Sequence, residues 1–159
     1  MEGLILNEQT KYVTYLEPIF EALGKGFIEC LNWRITYPEC GSSLTDKYSF
    51  EGELDSWISG KELLNEVAAH PDIQWWWGLL QGFESNYTQE MIQAEAPIDI
   101  QDDITIWTLP VSMRNDKATI EIEAFDSTQS IVITKDEKVL DTLRKTFPKS
   151  ELLSEFITK

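Results

Sequence analysis

Apolar and polar residues alternate with a period of two across much of residues 104–135. Two turn-forming pairs, Asn115-Asp116 and Ser127-Thr128, divide this stretch into three segments. Folding the chain at both turns places the apolar residues of all three segments on one face, as a real meander requires. Glu121 and Glu123 then project outward. The pattern therefore predicts a three-stranded antiparallel meander whose buried face is formed by Trp107, Leu109, Val111, Ile120, Ile122, Ala124, Ile131 and Ile133.

The residues before the meander predict a helix, a strand and a second helix in chain order. The first helix is expected within residues 9–23, and residues 27–37 alternate as in a half-buried strand. Ser59 and Glu62 have the spacing of a capping box, in which each side chain accepts from the other residue's backbone N–H. The second helix should therefore begin there and end before Pro71.

Residues 73–83 are apolar on both faces, which is typical of a central strand. Gly78 and Gly82 mark positions where another element packs closely against that strand. After the meander, Asp136 and Ser150 are expected to cap two C-terminal helices. Together these elements predict an α+β fold, with a mainly antiparallel sheet, helices packed on one side, and a C-terminal three-stranded meander followed by helices.

The chain has 159 residues, of which 42% are hydrophobic, and no linker or repeat divides it. We therefore expect a single domain, residues 1–159, with its own core. No stretch approaches the ~20 apolar residues that cross a bilayer, and the first residues lack the basic start and apolar run of a signal peptide. With only Cys30 and Cys40 present, we expect reduced thiols and a cytoplasmic location.

Acidic residues outnumber basic ones by 28 to 13, which gives a formal net charge of −15. Such a field repels nucleic-acid phosphates and anionic membranes, so neither is an expected partner. The excess peaks in residues 89–126, where nine acids face only Arg114 and Lys117. Trp76 is a candidate interface anchor, because tryptophan is enriched among binding hot spots. The acidic segment is predicted to contact a basic protein partner through Asp99, Asp102, Asp103, Glu121, Glu123 and Asp126.

Residues with catalytic chemistry are few and poorly spaced. His70 is the only histidine and is expected at a helix end. Cys30 and Cys40 lack C-x-x-C spacing, and no common hydrolase, P-loop or dinucleotide-binding motif is present. The aspartates of residues 99–103 lack the glycine and the spaced oxygen ligands of an EF-hand loop. We therefore predict no catalytic residue, no metal and no cofactor, and we expect that the protein is not an enzyme.

Other functional classes stay open at this stage. A small enzyme could use the carboxylates of residues 99–126. A small-molecule-binding regulator could use the tryptophans, three of which are consecutive at residues 75–77. Among binding proteins, a nucleic-acid mimic that occupies a basic groove is the other candidate. An acidic surface alone separates none of these, and the sequence does not predict the oligomeric state.

Five stretches of the chain carry a family resemblance: Asn32-Trp33-Arg34-Ile35, Ser59-Gly60-Lys61-Glu62-Leu63, Trp75-Trp76-Trp77-Gly78, Ala124-Phe125-Asp126-Ser127, and Ile131-Val132-Ile133-Thr134-Lys135-Asp136. Their order and layout resemble the small acidic immunity proteins of bacterial toxin systems and related bacterial single-domain families. The resemblance covers much of the chain, and no single motif within it is diagnostic, so no binding residue is carried over. It implies a protein that binds a cognate toxin, often a basic nuclease, and an acidic surface would speed that association.

Overall fold

The structure is a computed structural model that describes residues 1–7, 14–41 and 46–159. Its strands are β1 (Glu2–Leu6), β2 (Leu31–Gly41), β3 (Asp55–Ser59), β4 (Gln74–Glu84), β5 (Ile120–Phe125), β6 (Gln129–Thr134) and β7 (Glu151–Leu152). Its helices are α1 (Leu16–Leu23), α2 (Lys25–Glu29), α3 (Gly60–Ala69), α4 (Gln89–Gln93), α5 (Glu137–Thr146) and α6 (Leu153–Ile157). A short 3-10 turn covers Thr105–Trp107.

These seven strands form one sheet in the order β3-β2-β4-β5-β6-β1-β7, and neighbouring strands are antiparallel. The predicted α+β class with a mainly antiparallel sheet is therefore confirmed. β4 lies inside the sheet between β2 and β5, as its two apolar faces predict. A Cβ added at Gly82 would lie 2.9 Å from the side chains of Ile120 and Leu31, which confirms the close packing predicted at this glycine.

Helices α1, α2, α3 and α5 pack on one face of the sheet and enclose what we call the helix-side core. Trp33 of β2, Trp75 of β4 and Ile122 of β5 are buried in it. Helix α3 begins with the predicted capping box: Ser59 Oγ accepts from the N–H of Glu62, and the Glu62 carboxylate accepts from the N–H of Ser59. The cap fixes where α3 leaves the sheet, so its apolar stripe meets this core.

The other face of the sheet is covered by residues 85–118 and by α6, which enclose the opposite-side core. Phe83 and Ile131 of the sheet pack there with Ile92 of α4 and Leu153 of α6. Both faces of the sheet are therefore covered. Consequently, a side chain in the middle of an inner strand is removed from water whichever way it points, and this decides the environment of Arg34, Gln81, Glu121 and Glu123.

The first predicted helix is confirmed, because α1 lies within residues 9–23, whereas the start of the strand predicted after it is shifted. Of the helix predicted within residues 9–23, the part at 9–13 lies outside the described residues, and α1 begins at Leu16. The strand predicted at residues 27–37 begins only at Leu31, because the residues before it form α2. The predicted period of two is therefore correct only for β2 itself.

The two predicted C-terminal helices are both present. Asp136 caps α5 as predicted, since its side chain accepts from the N–H of Lys138 at 2.9 Å. The predicted cap at Ser150 is wrong, because β7 intervenes and Leu152 is the residue that precedes α6. The two-residue strand β7 adds to β1 and closes one edge of the sheet.

The first strand of the predicted meander is wrong. Residues 104–114 form the 3-10 turn and irregular backbone, and β4 takes their place beside β5. Pro110 opposes a strand here because it cannot donate to a ladder. The Asn115-Asp116 hairpin is instead a tight turn, in which the N–H of Ala118 donates to the Asn115 carbonyl at 3.1 Å. The three-stranded antiparallel unit is therefore β4-β5-β6.

The second predicted hairpin exists, but its register differs by one residue. Its turn takes three residues instead of two, and Asp126 and Ser127 both have positive φ angles there. Ile122 consequently pairs with Val132 rather than with Ile133. A one-residue slip turns one strand over relative to the other. The buried face predicted for the meander is therefore divided between the two cores.

The burial of the individual residues does not by itself show that the predicted register is wrong. Of the eight residues predicted to share one face, only Leu109 is exposed and Trp107 is half-buried. The six buried ones nevertheless separate, with Ile120, Ile122 and Ala124 in the helix-side core and Val111, Ile131 and Ile133 in the opposite-side core. On β5, Glu121 and Glu123 point toward the opposite face of the sheet, which is covered.

Candidate functional site

Four charged side chains meet beneath the segment that joins β4 to β5, and we call them the Arg114 cluster: Asp103, Arg114, Glu121 and Glu123. β5 directs its apolar residues toward the helices, so alternation turns Glu121 and Glu123 to the opposite face. Each glutamate is only 1% exposed, so the expectation that they project into solvent is wrong. Asp103 and Arg114 belong to residues 85–118, which cover this face and which we call the covering segment. Their side chains lie over the two glutamates.

Arg114 is the centre of this cluster. Its Nε donates to Asp103 Oδ2 at 2.7 Å, and its Nη2 lies 2.5 Å from Glu123 Oε2. Its Nη1 is 3.6 Å from Glu121 Oε2, and its backbone N–H donates to the same oxygen at 3.1 Å. Nη1, Nη2 and both Glu123 oxygens make no well-directed hydrogen bond. Glu123 is therefore held by charge attraction more than by hydrogen-bond geometry.

Glu121 is better satisfied than Glu123. Its Oε1 accepts from Gln81 Nε2 at 2.7 Å and from the N–H of Asn115 at 3.1 Å, while its other oxygen takes the N–H of Arg114. Gln81 is also buried and lies directly across from Glu121 on β4. Hydrogen bonds to a buried carboxylate offset its desolvation. Glu123 lacks this support, so it is the more weakly compensated carboxyl group.

Burial raises the pKa of Glu123 from 4.5 to about 7, because Arg114 offsets only part of the desolvation and Glu121 adds repulsion. Burial acts to lower the pKa of Arg114, but the neighbouring carboxylates outweigh it and the pKa is raised. Burial also opposes ionisation of Asp103, yet hydrogen bonds from Thr105 and Arg114 lower its pKa. The cluster thus combines a permanent cation with one carboxyl group that titrates near neutral pH.

A second set of contacts fixes the covering segment along β2. The Arg34 guanidinium, which is buried, donates to the carbonyl of Ile92 at 3.3 Å and to that of Glu95 at 2.8 Å. Thr36, two residues further along β2, donates to the carbonyl of Ile98 at 3.2 Å. The segment therefore runs beside β2 toward the strand's C-terminal end.

Exposed residues at that end of the sheet, together with the half-buried Asp99, form a second group, which we call the Trp76 surface: Glu39, Trp76, Asp99, Asp102 and Asp126. Trp76 is 46% exposed near the start of β4, beside the end of β2. Its carbonyl accepts from the N–H of Ser127 at 2.9 Å, which brings the exposed Asp126 of the β5–β6 turn next to it. Three strands therefore contribute to this end through their terminal residues.

The covering segment brings the remaining carboxylates to the Trp76 surface. Gln101 Nε2 donates to Glu39 Oε1 at 2.8 Å, and the N–H of Gln101 donates to Asp99 Oδ1 at 3.1 Å. The N–H of Asp102 donates to the carbonyl of Asp99 at 3.3 Å, and its side chain is exposed. These bonds hold the carboxylates of Glu39 and Asp99 and the backbone of the loop at Asp102.

The seven sequence-predicted contact residues thus fall into two groups, with Trp76, Asp99, Asp102 and Asp126 on the Trp76 surface and Asp103, Glu121 and Glu123 in the Arg114 cluster. Sequence reasoning missed Arg114 and Glu39. A signal for Arg114 existed, because one of only two bases among nine acids is a natural counter-ion for buried carboxylates. Glu39 had no such signal, since only the pairing of β2 with β4 brings it beside Trp76.

Residues with other reactive groups belong to neither group. His70 ends α3, as predicted, and its Nδ1 contacts the Asp46 carboxylate. Cys30 is exposed and Cys40 is buried, and both are free thiols. Burial raises the pKa of the Cys40 thiol, which disfavours a reactive thiolate. Within residues 1–7, 14–41 and 46–159, no group of three or more His, Cys, Asp or Glu side chains is placed to hold a metal ion.

Comparisons with known proteins find no similar protein. No protein-family model matches the chain, no curated protein is similar to it in sequence, and no solved structure is similar to its fold. Across the part of the chain that the structure describes, none of the helices has the length and apolar character needed to cross a membrane.

Proposed function

We propose that this protein is a cytosolic protein-binding module of the immunity-protein type, which binds and neutralises a basic, nuclease-type toxin. The observation that carries the proposal is the Trp76 surface, in which one exposed indole ring and four carboxylates lie at the same end of the sheet, and two of the carboxylates accept hydrogen bonds from Gln101. A desolvated tryptophan is a common source of binding energy at interfaces. Surrounding carboxylates would attract a basic partner and raise its association rate.

The position of the Trp76 ring supports its role as an anchor. A Cβ added at Gly41 would lie 3.5 Å from the ring, so the indole rests over the end of β2 instead of extending freely into solvent. Trp75 alternates to the other side and is fully buried, which fixes the backbone between them. A ring that is already held in place loses little conformational entropy on binding.

The two other classes have less support from the geometry. An enzyme using the carboxylates of residues 99–126 would need substrate access to them. A substrate could reach the aspartates that border the neighbouring cleft but not Glu121 and Glu123, which are each 1% exposed. A regulator that binds a small molecule between tryptophans would need several rings around one opening. Trp33 and Trp75 instead belong to the helix-side core, and Trp107 packs edge-on against Phe125.

The proposal is tested by site-specific photo-cross-linking in the cells that make the protein. A photoreactive phenylalanine analogue is placed at position 76 in one variant and at position 84 in the control, since Glu84 is exposed at the other end of the same strand. A basic protein should be cross-linked from position 76 and not from position 84. Identical products from both positions would contradict the proposed surface.

The cross-linked protein is then purified and its affinity measured against variants. Trp76→Ala should weaken binding by about 2 kcal/mol or more, because hot-spot residues cost this much when truncated. The triple change Asp99→Asn, Asp102→Asn and Asp126→Asn should mainly slow association and reduce its salt dependence. Wild-type affinity and salt dependence in both variants would refute this surface as the binding site.

A further inference from the structure

The two edges of the sheet differ in how well they are protected from pairing with another chain. β7 is only two residues long and leads directly into α6. β3 has five residues, pairs with β2 without a bulge, and contains neither lysine nor proline. Short strands, bulges, lysine and proline are the usual devices that block edge pairing. β3 therefore lacks three of these protections: it has no bulge, no lysine and no proline.

A groove runs along the outer edge of β3, where no strand of the described residues pairs with it. Its lining includes four consecutive strand residues, Asp55, Ser56, Trp57 and Ile58. Successive side chains of a strand point to opposite faces of the sheet, so all four can border one groove only if it follows the edge itself. Phe50 and Gln89 line the groove on either side of the strand.

Backbone alternation gives β3 an outward-facing set of hydrogen-bonding groups. The N–H of Tyr37 donates to the Leu54 carbonyl at 3.0 Å, and the same register continues through β2 and β3. In an antiparallel ladder, residue pairs that exchange two backbone hydrogen bonds alternate with pairs that exchange none. The backbone groups of Ser56 therefore bond to β2, whereas those of Asp55 and Trp57 point away from it. A side-chain amide, that of Gln93, already donates to the Asp55 carbonyl at 3.4 Å.

The charge of the groove is one-sided. Its described lining contains the carboxylates of Glu53, Asp55, Glu62 and Glu66 and no basic side chain. The Asp55 carboxylate is neutralised by the buried Arg34 guanidinium, through two hydrogen bonds of 2.9 Å. The other three carboxylates of the described lining have no such buried guanidinium beside them. Beside the strand, Leu54 is 60% exposed, and Met91 of the neighbouring α4 is 51% exposed. A partner would therefore need basic groups together with some apolar ones.

We propose that the groove along β3 binds a basic, extended segment of a protein partner, which adds to the sheet as a further strand. Main-chain hydrogen bonds to Asp55 and Trp57 would supply affinity, and the carboxylates would select lysine and arginine side chains. This site lies beside the first half of β2, whereas Trp76 lies beside its end. The inference therefore goes beyond the Trp76 surface and does not depend on it.

The test uses the full chain and an acetylated, amidated peptide of alternating lysine and valine residues. Its affinity is measured by isothermal titration, and exchange of the Trp57 amide hydrogen is followed by NMR. Saturable binding that slows this exchange by about tenfold or more would support strand addition, because a paired amide exchanges only after local opening. No binding, or binding with unchanged exchange at Trp57, would overturn it.

Two controls separate strand pairing from charge attraction alone. A peptide of the same sequence with a methyl group on every backbone nitrogen keeps the charge but has no N–H to donate to the strand, so it should not bind; equal binding would overturn the proposal. Glu53→Gln with Glu66→Gln should weaken binding of the unmethylated peptide by about fivefold or more. The exposed pair Glu21→Gln with Glu155→Gln is the matched control and should leave affinity unchanged.

An unchanged affinity in the Glu53 and Glu66 variant would also overturn the proposal, since charge selection is part of it. Trp76→Ala should bind the peptide as the wild type does. If the peptide binds normally while Trp76→Ala and the triple aspartate variant both keep full affinity for the cross-linked protein, the Trp76 surface fails as the binding site and the β3 site stands. The reverse result removes the β3 site alone.

Discussion

Replacing Glu123 by glutamine should make the protein more stable at alkaline pH and remove part of its pH dependence. The side chain is 1% exposed, and burial raises its pKa from 4.5 to about 7. Glutamine has nearly the same shape but cannot ionise, so it represents the neutral acid. Arg114 keeps Asp103 and Glu121 as partners in the variant.

The sign follows from proton linkage. A carboxyl group with a raised pKa binds its proton more tightly in the folded state, so it stabilises the fold fully below pH 4.5, and this contribution is lost as the pH rises through about 7. A shift from 4.5 to about 7 corresponds to about 3 kcal/mol. The stability advantage of Glu123→Gln over the wild type should therefore be about 2–3 kcal/mol larger near pH 8 than near pH 5.

Urea unfolding of both proteins at the two pH values measures this difference directly. Comparing variant with wild type at each pH removes the contribution of other titrating groups, which both proteins share. Glu84→Gln is the matched control, since it makes the same chemical change at an exposed end of β4. An advantage of Glu123→Gln that is equal at both pH values would show that Glu123 is not a poorly compensated buried acid.

Four further substitutions test the helix-side core, the packing of α3, its cap and the Arg114 cluster by the same unfolding assay. Ile122→Ala should cost about 2–5 kcal/mol because Ile122 is buried in the helix-side core, and a loss below about 1 kcal/mol would contradict that placement. Gly60→Ala should cost about 3 kcal/mol or more, since its Cβ would lie 1.8 Å from the Ile28 carbonyl oxygen; a neutral effect would mean that α3 can shift. Ser59→Ala should cost about 1 kcal/mol through loss of the capping box, against no change if the cap is solvated. Arg114→Met should cost about 3–5 kcal/mol by leaving buried carboxylates without their cation, and a stable variant would refute the central role of Arg114.

Local patterns in the sequence predicted the structure correctly where an element is determined by residues close together in the chain. The capping box of Ser59 and Glu62 and the cap at Asp136 each depend on side chains within three residues of each other. The central position of β4 followed from apolar residues on both of its faces. These features involve neighbours in the chain, so propensity and pattern determine them.

Register could not be obtained in the same way, because it depends on the conformation of a single turn. Asp126 and Ser127 both adopt positive φ, and the turn takes one residue more than the simplest hairpin loop. The apolar pattern did not reveal the error, because β6 has apolar residues on both faces: Val132 points one way and Ile131 and Ile133 the other. A strand covered on both sides tolerates either register in a pattern argument.

Only part of the candidate site could be predicted from the sequence, because the covering of a strand face decides which carboxylates are exposed. An excess of acids identifies an electrostatic field, but it does not say which carboxylates face solvent. Trp76, Asp102 and Asp126 are exposed because they lie at strand ends and loops. Glu121 and Glu123 occupy alternate positions of β5, where exposure depends on what covers that face, and residues 85–118 cover it.

Buried acids can still assist a surface that they do not form. Asp103 of the Arg114 cluster lines the same cleft as Asp99 and Asp102 of the Trp76 surface. The cluster has three carboxyl groups around one guanidinium, so it stays negative behind those two aspartates even when Glu123 is protonated. A charge held in a poorly polarisable interior acts at longer range than one in water. Reversing Glu121 or Glu123 to lysine would therefore disrupt the fold before it tested binding, whereas changes at Asp99, Asp102 and Asp126 alter the contact surface and leave the interior charges in place.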